Sequence, residues 1–190
     1  CHYERVANDP RVQHTLTLQV NEWGQVLREA QVAYGRRQQI WQIGAAGQPQ
    51  QVANPGLGGM QPADVQRQCT AFLTYSETAV TRPVLGPDTH RAPLPCDARN
   101  YELTGFAASG PQGRYRPEDL VQPDPADPAA FLLRHQTELP FEGTPDGTRC
   151  RRLLECLRTL YRDDALGTAG GALAAGALPL GRMGALALPF

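Results

Sequence analysis

Residues 14–37, HTLTLQVNEWGQVLREAQVAYGRR, decide the fold, because they read as two β-strands joined by one tight turn. In the first arm Leu16, Leu18 and Val20 alternate with Thr15, Thr17 and Gln19, the period of two that gives a strand one buried face. The second arm repeats the pattern less strictly. Val26, Ala30, Val32 and Tyr34 fall on one face with Arg28 as the charged exception, and Leu27, Glu29, Gln31 and Ala33 fall on the other. Asn21 and Gly24 bracket the turn, where Gly24 can take the positive φ that closes a type I turn with a bulge.

The rest of the chain is punctuated by turn residues. Gly (19) and Pro (17) together approach a fifth of the 190 residues, which favours short strands and loops over long helices. The segment 46–64, rich in Gln, Gly and Pro, reads as a long surface loop, and the Gly/Ala run 167–177 reads as another. Between them, Gln66 to Val84 reads as a second hairpin, in which Cys69, Ala71, Leu73 and Tyr75 alternate ahead of a turn at Ser76-Glu77. Pro93 and Pro95 cannot both lie in a central strand and are expected along an edge. The strand 100–106 carries Tyr101 and Leu103 on one face, and a short helix begins at Pro117, with Glu118 and Asp119 meeting its positive end. Asp127 is the expected N-cap of a second short helix over 128–135. Residues 151–162 show a helical stripe of Leu153, Leu154, Leu157, Leu160 and Tyr161, so periodicity alone favours a helix there.

Several ordered pieces carry a resemblance. Val32-Ala-Tyr-Gly-Arg-Arg37, Leu73-Thr-Tyr-Ser-Glu77, Arg91-Ala-Pro-Leu-Pro-Cys96, Tyr101-Glu-Leu-Thr-Gly105 and Arg158-Thr-Leu-Tyr-Arg162, flanked by Asp9-Pro-Arg11 and Leu178-Pro-Leu-Gly181, resemble the middle to C-terminal region of the B component of bacterial Tc insecticidal toxin complexes. The resemblance spans nearly the whole chain, and 1–190 is read as a single fragment of that region. It implies a mainly β fold, antiparallel hairpins of an Rhs/YD-repeat-type shell with one or two short helices and long Pro/Gly-rich loops. It also implies a non-enzymatic structural role in a secreted complex whose shell encloses a cytotoxic polypeptide. The implied partners are the C component, which closes the shell and supplies the toxin, and the A component, which supplies the translocation channel and is reached through the rest of the B component. The family's strand endings favour a strand over 151–162.

Composition narrows the other classes. A net charge of -1 offers no polycation for nucleic acid, and no apolar run reaches the ~18 residues of a membrane span. All 18 basic residues are arginine, read as a mark of GC-rich coding. The start at Cys1 without Met or a signal pattern, and the apolar end at Phe190, suggest an excised piece. Cysteines 1, 69, 96, 150 and 156 fit no disulfide framework or metal motif and are read as free buried thiols.

No catalytic, cofactor-binding or metal-binding residue is singled out, and no cofactor is expected. His14 is placed on the threonine side of its strand, exposed; His2, His90 and His135 lie apart, without ligand spacing. Asp124 with Asp127, and Asp163 with Asp164, read as solvated loop pairs, and Ser76-Glu77-Thr78 lacks the second Glu of ADP-ribosylating toxins. Arg36 and Arg37 read as surface residues. The competing readings are a free-standing carbohydrate- or protein-binding β-module stacking ligands on Trp23, Trp41 and Tyr34, and an enzyme completed by sequence outside this chain.

Overall fold

The computed structural model describes residues 6–88, 90–127 and 130–161. Its first hairpin, β1 (Gln13–Val20) with β2 (Val26–Ala33), is the one the alternation predicts. Asn21 organises the turn: its Oδ1 accepts the backbone N–H groups of Trp23 at 3.0 Å and Gln25 at 2.9 Å, and Gly24, at φ +76°, donates to the Asn21 carbonyl. Leu16, Leu18, Ala30 and Val32 are buried as expected. Val20 and Val26 are not, because the pairing slips by one residue on β1 at Leu18 and by one on β2 at Leu27, so these valines face each other beside the turn, beyond the core.

β3 (Gln39–Ile43) and β4 (Pro49–Ala53) make a separate hairpin, so the segment 46–64 is not one long loop. Its later part enters α1 (Pro62–Cys69), whose Pro62 suits the first turn and whose Asp64 meets the helix dipole. The second hairpin of the sequence reading is therefore replaced by a helix followed by one continuous strand, β5 (Phe72–Val80). Ser76-Glu77-Thr78 contains no Gly, Asn or Pro to reverse the chain, and Ser76 Oγ instead bonds Asn100 Oδ1 across the sheet at 2.7 Å.

A short ribbon, β6 (Val84–Leu85) with β7 (His90–Arg91), leads to β8 (Pro95–Thr104). Pro95 opens a central strand and not an edge, which works because a strand's first residue can forgo its N–H. Next come α2 (Pro117–Leu120), as the sequence predicts, and β9 (Val121–Pro123) paired with β10 (Phe131–Leu133). The second short helix is absent over 131–133, where Leu133 instead turns into the core from a strand, and the Asp127 carbonyl accepts the Ala130 N–H at 2.9 Å. β11 (Thr137–Leu139) runs parallel to the last strand, β12 (Cys150–Arg158), so the ambiguous 151–162 stretch is strand through Arg158. The Gly/Ala run 167–177 lies outside the described residues.

Six strands form one sheet in the order β1-β2-β5-β8-β12-β11, antiparallel except for the last pair. Among the described residues only one of its faces is closed. Leu16, Leu18, Val32, Leu73, Tyr75, Tyr101 and Leu103 pack beneath a cover made by Phe106, Tyr115, Leu120, Val121 and Leu133. Tyr115 locks that cover, donating its hydroxyl to the Phe106 carbonyl at 2.8 Å while its N–H meets the Tyr34 hydroxyl at 2.9 Å. Asp119 caps α2 by accepting the Arg116 and Ser109 N–H groups at 2.8 and 3.0 Å; burial works to raise its pKa, but these bonds prevail and hold it below the usual carboxylate value. On the opposite face Thr15, Thr17, Gln31 and Thr74 are exposed.

Gly105 shows how tightly β8 hands over to β12. It sits at φ +76°, and a Cβ there would lie 2.0 Å from the Thr148 carbonyl oxygen. Gly24 shares the same φ but has open space around it. Gly105→Ala is expected to cost about 3 kcal/mol and Gly24→Ala about 1 kcal/mol in urea unfolding. Equal losses would mean that the contact with Thr148 is not what constrains Gly105.

Candidate interaction surface

Strand alternation puts Tyr75 and Glu77 of β5 on the same side of the sheet as Tyr101, Arg99 and Asp97 of β8, in register as Tyr75↔Tyr101 and Glu77↔Arg99. The tyrosine rings meet at 6.1 Å between centroids, and the Tyr75 hydroxyl donates to Glu77 Oε1 at 3.0 Å. Arg151 of β12 spans the rest: it reaches Glu77 at 3.4 Å, holds Glu138 of β11 at 2.8 Å, and lays its guanidinium over the Tyr101 ring at 4.7 Å. One arginine thus ties β5, β8, β12 and β11 together. Further along, Asp97, only 4% exposed, is clamped between Arg99 Nε at 2.9 Å and Arg158 Nη2 at 3.1 Å. On the opposite face Arg152 of β12 pairs with Glu102 of β8.

Chemically this ladder is a brace. Each of its carboxylates accepts from a guanidinium, and its tyrosines are held neutral: burial first, then the Glu77 carboxylate, pushes the Tyr75 hydroxyl well above its ordinary value and raises that of Tyr101. The hydrogen bond to Asp97 and then that to Tyr101 raise Arg99 in turn, keeping it a permanent cation. Among the described residues no group of three or more His, Cys, Asp or Glu is arranged to hold a metal ion. The sequence reading missed this ladder, although Tyr75/Glu77 and Asp97/Arg99 carry its signature, polar partners two residues apart on one strand face.

The residues singled out from the sequence scatter. His14 shares the parity of Leu16 and Leu18 and so lies on the leucine side, half-buried with Nδ1 3.4 Å from the Tyr34 hydroxyl, not exposed among the threonines. His90 packs on Trp23 and His135 lies near the Leu133 carbonyl. Arg36 is not a plain surface residue: it pairs at 3.6 Å with Asp9, a buried carboxylate that also accepts from Asn54 at 2.7 Å. The backbone of Arg37 joins the same knot, its carbonyl accepting from Asn54 at 2.7 Å. Asp124 caps its own loop through the Ala126 N–H, and Asp163 and Asp164 lie outside the described residues. Cys96 and Cys150 are buried thiols, but Cys69 is half-buried and Cys156 exposed. Trp23 and Tyr34 flank opposite ends of β2, roughly 25 Å apart at a strand's rise per residue, so they cannot form one stacking platform. Trp41 is exposed on the separate β3–β4 hairpin, and Tyr34 is covered by Arg114 at 4.2 Å and by Tyr115.

What remains open is mostly sheet. A cleft of about 690 Å³ lies where β1 and β2 meet the end of α1, lined by Arg11, Tyr34, Arg36, Arg67 and Phe72. Among the described residues the far side of β12 is paired with β11 at Cys150–Arg152, and a groove of about 330 Å³ lies beside Leu153–Cys156. Among the described residues no helix is long and apolar enough to cross a membrane.

The neutral tyrosines give the ladder a pH signature. A folded-state pKa raised above the unfolded value of 10.0 means that the folded protein holds these protons more tightly, so stability is full below that pH and falls as pH rises above it. Urea melts from about pH 8 to about pH 11 should show this fall, and Tyr75→Phe with Tyr101→Phe should flatten it. An identical slope in the double variant would remove the tyrosines as its cause.

Two comparisons bear on what such a sheet belongs to. No curated protein matches the chain. Residues 1–88 match the family described as insecticide toxin TcdB middle/C-terminal region, a stretch that runs from Cys1 through β5 and ends before β8. Over those residues the resemblance read from the sequence therefore holds: this part of the chain is similar to the middle/C-terminal region of the toxin-complex B component.

Proposed function

We propose that the chain is a non-enzymatic wall segment of a secreted insecticidal toxin complex, contributing to an Rhs/YD-repeat-type β-shell that encloses a cytotoxic polypeptide. In this reading the C component completes the shell and supplies the enclosed toxin. The A component provides the channel and is reached through the remainder of the B component. The observation that carries the reading is a sheet that, among the described residues, is packed on one face, with Thr15, Thr17, Gln31 and Thr74 exposed on the other. A wall needs that form, since each strand must be free to continue into a neighbour while one surface faces an aqueous interior. The ladder suits the same role, because it stiffens the sheet across four strands without depending on a thick core.

The free-standing binding module is the competing reading, and Trp41 is the exposed aromatic that could serve it. Both are tested in the assembled toxin complex. Tyr101→Ala removes a buried ring at the centre of the wall, a truncation that costs about 3–5 kcal/mol, and should make the enclosed polypeptide sensitive to added protease. Trp41→Ala should leave that protection unchanged. Full protection after residues 6–161 are replaced by a flexible linker would refute the wall. Glycan binding by the isolated chain that disappears with Trp41→Ala would establish the module instead.

A further inference from the structure

We propose that the pocket around Arg28 binds a single carboxylate group. Arg28 interrupts the apolar face of β2, and strand pairing sets it in one row with Gln19 of β1, Glu77 of β5 and Arg99 of β8. Along that row lies a pocket of about 260 Å³, whose lining includes Gln19, Arg28, Glu77, Asp97 and Arg99. The Arg99 side chain is 36% exposed, so the pocket opens to water. Arg28 is half-buried, and its Nη1 is buried without a hydrogen-bond partner. A guanidinium N–H withdrawn from water calls for an acceptor.

The carboxylates of the pocket itself are committed elsewhere. Glu77, opposite Arg28 in the pairing, accepts the Tyr75 hydroxyl at 3.0 Å and Arg151 Nη1 at 3.4 Å on the same Oε1. Asp97 accepts from Arg99 on one oxygen and from Arg158 on the other. Arg152 shows the contrast. Its Nε is likewise buried without a partner, but its Nη2 pairs with Glu102 and its Nη1 donates to the Gly143 carbonyl at 3.3 Å.

The kind of anion follows from the walls. The pocket falls below the roughly 300 Å³ at which sites for drug-sized ligands begin, and so has room for one small group. Glu77 and Asp97, although each is answered by arginine, stand against a dianion such as phosphate. A carboxylate brings one charge and two coplanar oxygens, the match for a guanidinium fork. Gln19 lines the pocket from the β1 side and can add an amide donor. This inference does not rest on the wall reading: an empty pocket would leave the one-sided sheet as it is, and a filled one requires no shell.

The test is an acetate titration of the full chain at constant ionic strength, followed through the arginine side-chain N–H signals by NMR. The Arg28 Nε–H signal is expected to shift saturably while that of the exposed Arg82 stays in place. Inorganic phosphate should bind about tenfold more weakly than acetate. Acetate should raise the urea midpoint of the wild type and leave that of Arg28→Gln unchanged. If Arg28→Gln does not fold, Arg28→Lys, which keeps the charge and loses the fork, should weaken acetate binding about tenfold. Glutamate blocked at both termini separates two sources of the carboxylate: binding tighter than acetate would assign it to a polypeptide side chain, and binding no tighter to a free small acid. No saturable shift at Arg28, an equal response from Arg82, phosphate binding as tight as acetate, or an acetate effect that survives both Arg28 variants would each overturn the proposal.

Discussion

The pairing of β5 with β8 is the constraint on which the rest of the structure depends. These two strands are the middle of the sheet, and their register decides which side chains meet on the closed face. With Tyr75 opposite Tyr101, Glu77 falls beside Arg99 and within reach of Arg151. A slip of one residue would turn Tyr75 and Glu77 to the open face together and take Glu77 away from Arg151. The apolar half and the charged half of the face therefore enforce the same alignment, and neither could be satisfied with the other displaced. Ser76 bonding Asn100 on the opposite face is satisfied by that register too.

Closing one face alone has consequences for how the protein meets others. A sheet covered on both sides ends its own hydrophobic demands, while a one-sided sheet leaves polar strand surface and edge groups in contact with water. The two edges are treated differently. On β1 the exposed residues are Gln13, Thr15 and Thr17, with Val20 beside the turn, while β12 carries the exposed Leu154 and Leu157. The more apolar edge is on the C-terminal side of the sheet, the side that the match over residues 1–88 does not cover.

How far the sequence could be read varied with how local the determinants were. The first hairpin was legible because alternation and an Asn/Gly turn lie within 20 residues of each other; Val20 and Val26 escaped, since compensating bulges leave no mark in composition, and His14 was set on the wrong face although its parity with Leu16 was plain. α1 was hidden in a Gln-rich segment because it buries no residue, so it has no apolar stripe to announce it. β5 was cut in two by reading Ser76-Glu77 as a turn, although a glutamate can lie in a central strand when Arg151 and Tyr75 answer it, and those partners are 74 and two residues away. β12 displayed a helical period in Leu154, Leu157 and Leu160, but these leucines are exposed and serve no core, so their spacing carried no structural meaning. The ladder was half-legible: same-face polar pairs were visible, but not which strands would face each other. The knot of Asp9, Arg36 and Asn54 draws on three distant segments and had no local sign.

The all-arginine composition can now be weighed against what the side chains do. A coding bias suffices to explain why lysine is absent, yet the ladder uses properties that lysine lacks. Arg151 holds Glu138 through both Nε and Nη2 while Nη1 reaches Glu77 and the flat guanidinium covers Tyr101. Arg158 grips Asp97 through Nε and Nη2 together. A single ammonium could answer one of these carboxylates, but it could not span two strands and lie flat on a ring at once. Whatever supplied the arginines, the sheet has come to rest on the planar fork. Lysine at 151 would keep the charge and lose the bracing, because what matters there is the geometry of the donors and not their sign.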